Sequence, residues 1–149
     1  MVLEEVALDS VSSSQRDEQA SYLMAVLNIP SSDLLVLGLE LMRFSRAHQN
    51  DRTANLRRFA AHFGACPETC SAIFVDLQTT QIAAARIAKP QVFYLLMTMY
   101  WLKTYPTEHQ TAGTFEVDEK TVRNNVWKYI GAIQALKGMK VRVPTCCRN

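Results

Sequence analysis

Between Glu119 and Lys137 apolar residues recur at intervals of three and four: Val122, Val126, Tyr129, Ile130, Ile133 and Leu136. At about 100° per residue they share one face of a helix. Lys120, Thr121, Arg123, Asn124 and Lys128 fall on the other side. Asp118 is a suitable N-cap, Glu119 matches the positive helix start, and Gly138 is placed to end the helix. Trp127 lies about 140° from Val122, off the apolar stripe, and is expected to pack against another helix rather than stack on a base.

The same reading predicts helices along the rest of the chain. Ser12–Ser14 precede a helix over Gln15–Asn28, and Pro30 breaks it. Ser31 or Ser32 caps a largely buried second helix from Asp33 to about Ala47, apolar at Leu34, Leu35, Leu37, Leu41, Met42 and Phe44. After the polar HQNDRT loop, Thr53 can cap a helix over Ala54–Phe63 with Leu56, Phe59 and Phe63 inward and Arg57 and Arg58 outward. Gly64 suits the residue after its end, and Pro67 the first position of the next helix, which runs to about Gln78. Thr79–Lys89 is less defined. Pro90 then opens the most apolar stretch, Gln91–Thr104, the expected centre of the core. Pro106 stops it. Thr107 and Gln110 have capping-box spacing and start a short helix expected to end at Gly113. Met139–Val143 alternates in the manner of a strand.

The fold class that follows is all-α: a multi-helix domain with one or two helix-turn-helix units and a short strand-like C-terminal stub. It divides into an acidic helical segment (1–42), a helical DNA-binding-like domain (43–138) and a tail (139–149). The second unit is suggested by an internal echo. Phe63–Leu77 aligns with Phe115–Tyr129 at a constant offset of 52, matching Phe63 to Phe115, Thr69 to Thr121, Cys70 to Val122 and Phe74 to Val126. In that register Thr69, Ser71 and Ala72 stand where Thr121, Arg123 and Asn124 do.

Charge sharpens the division. The chain of 149 residues carries a net +2, but residues 1–42 hold seven acidic and one basic residue, net −6. Residues 43–149 hold fifteen basic and seven acidic residues, net +8, so a polyanion would meet this part. No secretory signal and no apolar run of membrane-spanning length stand out, which fits a soluble intracellular protein. Four cysteines do not suggest a disulfide framework.

These patterns bear unequally on chemistry. Cys66 and Cys70 lie one helical turn apart near His62, but no second Cys/His pair has the spacing of a structural zinc site, so no metal is assigned. No phosphate loop, catalytic triad or HExxH motif is present, so no catalytic residue, cofactor or enzymatic activity is expected. A helix with a buried face and a polar, basic back does suit DNA. Asn124 can pair bidentately with adenine and Arg123 with guanine, while Lys120, Thr121 and Lys128 more naturally meet phosphate. Arg57 and Arg58 are candidate phosphate contacts from the first unit.

Three pieces, RFSRAHQNDRTANLRRFAAHFGACPETCSAIFVDL, FYLLMTMYWLKTYPTE and FEVDEKTVRNNVWKYIGAIQALKGMKVRVP, together resemble the N-terminal helical region of PIF/Harbinger-type DDE transposases over residues 43–144. The resemblance rests on their order. It implies double-stranded DNA as partner, nuclear localisation, and a nuclease domain that would begin about where this chain stops. Two other readings stand beside it. One is a helical protein-interaction module, docking a partner or a second copy through its N-terminal helices. The other is a non-functional transposon fragment.

Overall fold

The computed structural model describes residues 29–44, 51–80 and 85–138. Within them the chain is all helical: α1 (Ser31–Leu41), α2 (Arg52–Phe63), α3 (Pro67–Thr79), α4 (Val92–Thr104), α5 (Glu108–Phe115) and α6 (Glu119–Ala135), with a closing 3-10 turn, Leu136–Gly138. No strand occurs among the described residues. The predicted Gln15–Asn28 helix and the alternating Met139–Val143 stretch lie outside them.

Local chemistry explains most boundaries. Asp118 caps α6 by accepting the Thr121 N–H at 2.6 Å. Thr107 and Gln110 form a reciprocal capping box at the start of α5. Pro67 opens α3, where its missing N–H costs nothing, and Gly64 ends α2 at φ 74°. Four boundaries differ from the sequence expectation. Pro30, not Ser31 or Ser32, is the N-cap of α1, which starts at Ser31 with no side-chain cap bond. Asp51, not Thr53, caps α2, accepting the Ala54 N–H at 3.0 Å. Helix α5 runs through Gly113 to Phe115, because nothing in its packing requires the glycine to stop it. Helix α1 stops at Leu41 rather than near Ala47. There Arg43 turns left-handed (φ 62°), letting the Phe44 N–H reach back to the Leu39 carbonyl at 2.8 Å.

Helix α4 is the central element, with Leu95, Leu96, Met97 and Thr98 inaccessible to solvent. Its neighbours are α6, α2, α3 and α5. The buried Thr98 hydroxyl donates to the Tyr94 carbonyl at 2.8 Å, so no polar atom is stranded there. One part of the core joins Leu34, Phe59, Phe63, Leu96, Met97, Phe115, Val122 and Val126. The other joins Phe74, Leu77, Leu95, Ile87, Tyr129 and Leu136. Leu102, expected in the core, stands at its edge and is 37% exposed. At Gly38 the α1 backbone lies directly on Phe59: a Cβ there would come within 2.4 Å of the ring. Absence of a side chain is what lets α1 seat on α2.

Tyr129 ties α6 to the start of α4. Its hydroxyl accepts the Gln91 N–H at 2.6 Å and donates to the Gln91 carbonyl at 3.2 Å. Burial pushes its phenol pKa above the ordinary tyrosine value.

Candidate nucleic-acid interface

Helices α5 and α6 are joined by three residues, Glu116–Asp118. Glu116 closes α5 in the left-handed region (φ 55°), and the Val117 N–H returns to the Ala112 carbonyl at 3.1 Å. A short helix, a tight turn and a long second helix packed on the first give helix-turn-helix layout. Val122, Val126, Tyr129 and Ala132 are buried, which anchors α6 by the face predicted from its periodicity.

The echo extends into the backbone. Gly64 and Glu116, 52 residues apart, are both left-handed helix ends, and Cys66 and Asp118 are both N-caps. Phe63 and Phe115 are both buried, as are Cys70 with Val122 and Phe74 with Val126. The two units differ in what covers them. Ser71 donates to the Ile29 carbonyl at 2.8 Å, and Thr69 is buried with its hydroxyl 3.2 Å from the Cys66 sulfur. The segment before α1 and α1 itself lie on α3. The α3 positions equivalent to Thr121 and Arg123 are therefore turned to internal bonding, and α3 contains no lysine or arginine.

The N-terminal end of α6 is dense in charge, and much of that charge is paired within the motif. Arg123 Nε donates to both oxygens of Glu108, at 3.0 and 3.1 Å, and Nη2 donates to Oε2 at 2.6 Å. This fork holds the Glu108 carboxyl below its ordinary value and raises that of the guanidinium. His109 bonds Glu119 at 2.9 Å, and Arg43 bridges to Glu116 at 3.1 Å. Accepting the Thr121 N–H lowers the Asp118 pKa. Of the predicted contact residues, Arg123 is thus engaged in holding α6 to α5. The Thr121 amide and carbonyl serve the cap and the Asn125 amide, whose Nδ2 donates to that carbonyl at 2.8 Å.

The rest of the predicted set remains outward. Lys120, Asn124 and Lys128 follow at i, i+4 and i+8 along one side of α6, and all are exposed. Trp127 stands between them on the outer face, 59% exposed. Its ring meets that of Trp101 on α4 edge-on, with centroids 5.6 Å apart. The expectation that it packs on another helix is met by this contact, although more than half of the side chain stays exposed. A further cation comes from outside the helix. Arg86, in the connection before α4, lays its guanidinium over Gly131, with Nη1 3.0 Å from the point a Cβ would occupy. No periodicity in the sequence could have placed it there. Lys120, Lys128 and Arg86 form no ion pair with any described residue.

Arg57 and Arg58 sit apart from this row, on α2. Arg57 is exposed. Arg58 is partly buried, its guanidinium 5.3 Å from the Phe44 ring centre and its Nη1 buried with no hydrogen-bond partner. Phe44 also stacks at 5.4 Å on His62, whose pKa burial lowers. Cys66 and Cys70 are buried and not joined in a disulfide. No group of three metal-ligating side chains occurs among the described residues. No helix among them is long and apolar enough to cross a membrane.

No match to the chain is found among family models, curated proteins or solved structures.

Proposed function

We propose that the chain is a DNA-binding helical module, with α6 as the helix that meets the duplex, in the way its resemblance to the N-terminal region of Harbinger-type transposases implies. The observation that carries this reading is the row Lys120, Asn124 and Lys128 on the outer face of α6, extended by Arg86 over Gly131. Lys120, Lys128 and Arg86 are exposed and form no salt bridge with a described residue, although Lys120 is attracted to the Asp118 cap. Each could neutralise a phosphate, and Asn124 has the donor and acceptor pair that adenine presents in the major groove. Of the carboxylates at the start of α6, Glu119 bonds His109 and Asp118 caps the helix, its charge also attracting Lys120, while Lys128 and Arg86 lie further along. The centre of contact accordingly lies toward the middle of the helix, and Arg123 supports the motif rather than reading bases. Arg57 is an additional phosphate contact in this reading. The module binds and does not catalyse, and its site of action would be the nucleus.

Fluorescence anisotropy with a labelled duplex tests the proposal. Wild-type protein should bind, and the triple variant Lys120→Gln, Lys128→Gln, Arg86→Gln should lose most of the affinity while melting at the same temperature. Equal binding by the two proteins would refute it.

A second reading, a helical protein-interaction module, is favoured by a different feature. An open groove of about 680 Å³ runs between the end of α1, the end of α4 and α5, lined by Leu41, Met42, Tyr100, Tyr105, Gln110 and Thr114. Two non-glycine residues in the left-handed region, Arg43 and Tyr105, line it. Bulky substitution at Gly113, where a side chain meets open space, would block a partner docked there and leave DNA binding intact.

A further inference from the structure

Both tryptophans of the chain lie in one surface ledge beside the cationic row. Trp127 is 59% exposed, and Tyr105, 78% exposed, also packs on Trp101, at a centroid distance of 6.4 Å. Tyr105 is held there in a left-handed turn (φ 47°) directly before Pro106, a conformation costly for a side chain of its size. Trp101 meets Trp127 in a T-shaped contact, and more than half of the Trp127 side chain stays open to solvent. Along α6, Lys120 lies two turns before Trp127 and Gly131, covered by Arg86, one turn after it. By the helical rise these are about 10 Å and about 6 Å away.

A large aromatic surface this exposed marks a contact site. Its surroundings determine the kind of partner. A second copy meeting it through a two-fold interface would bring Lys120, Lys128 and Arg86 against themselves, like charge on like. A chain of phosphates carrying flat bases matches both features at once.

We infer that Trp127 is a stacking surface for an unpaired base, with Lys120, Lys128 and Arg86 holding the flanking phosphates, so that the site takes DNA with single-stranded or frayed character in preference to closed duplex. The inference rests on the DNA-binding reading and adds the form of DNA. Stacking on the exposed indole adds affinity for any base, since every base offers a π face. A duplex with all its bases paired offers only phosphates and groove edges to the same row.

The two tryptophans make intrinsic fluorescence a local report of this ledge. The test compares wild type, Trp127→Ala and Trp127→Phe against four probes: a single-stranded oligonucleotide, the same length with abasic sites throughout, a blunt duplex, and a duplex with a single-stranded flap. Wild type should bind the single strand and the flap more tightly than the blunt duplex, with quenched tryptophan emission. Trp127→Ala should lose about tenfold or more on the single strand, Trp127→Phe should retain most of it, and neither should change blunt-duplex binding more than twofold. Trp127→Ala should also erase the preference over the abasic strand. If wild type binds the duplex but shows no preference for bases, or if Trp127→Ala leaves single-strand binding unchanged, stacking is overturned and the DNA-binding reading stands. If wild type binds none of the four, both fall. Equal loss by Trp127→Ala on the abasic strand would assign the indole to packing and overturn the inference.

Discussion

Arg123 grips Glu108 with three hydrogen bonds of 2.6 to 3.1 Å, and so joins the second turn of α6 to the first residue of α5. A basic residue on the exposed face of a candidate recognition helix would ordinarily be counted as a DNA contact. Its planar fork is instead matched to a carboxylate of its own motif. Arg123→Ala and Glu108→Gln should each lower the melting temperature, and the double variant should lose less than the sum of the two. Strict additivity in that cycle would show that the pair is not coupled. Glu108→Gln should leave DNA affinity nearly unchanged, or raise it by unmasking Arg123.

Acid should loosen the same corner. Glu108 and Asp118 have carboxyl pKa values below their ordinary 4.5 and 3.8, the first through the Arg123 fork and the second through the Thr121 N–H. A group whose folded pKa is depressed contributes stability above its unfolded pKa and loses it as pH falls through the folded value. Melting temperature should therefore decline as pH drops below about 4.5, and Glu108→Gln should flatten part of that decline. Melts between pH 7 and 3 would show it, and parallel curves for the two proteins would contradict it.

Two glycines should respond in opposite directions. Gly38→Ala places a methyl 2.4 Å from the Phe59 ring and should cost about 1–3 kcal/mol. Gly113 sits inside α5 with nothing within 4 Å of its would-be Cβ, so Gly113→Ala should stabilise by about 0.5–1 kcal/mol. Urea denaturation of the two variants checks both signs.

Tyr129→Phe should be costlier than the loss of one surface hydroxyl. The phenol oxygen is the partner of the Gln91 N–H at the start of the central helix, and removing it leaves that donor without its bond. The expected loss is about 1–2 kcal/mol by urea denaturation. A neutral result would mean that water replaces the hydroxyl.

Much of this arrangement was readable from local chemistry. Asp118, the Thr107–Gln110 box, Pro67 and Gly64 mark helix ends because each acts on neighbours within a few residues. The 52-residue echo was readable too, and its turn residues obey it. What escaped the sequence depends on packing between distant segments. Arg43 ends α1 in a conformation that usually calls for glycine, so no residue type announced the stop. Arg123 is drawn to a carboxylate fifteen positions away. Arg86 enters the candidate site from another segment through the gap that Gly131 leaves. Ser71 and Thr69, matched by the echo to outward positions, are bonded to neighbouring segments instead.

The central claim concerns the cations on the outer face of α6, and the salt dependence of duplex binding tests it most directly. Removing one cation that neutralises a phosphate should make the slope of log K against log salt shallower by about 0.9. Affinity of the wild-type chain should fall steeply with salt. The Lys120→Gln, Lys128→Gln, Arg86→Gln variant should show a slope shallower by about 2 to 3. An unchanged slope in that variant, salt-independent binding, or no binding to any duplex would contradict the account.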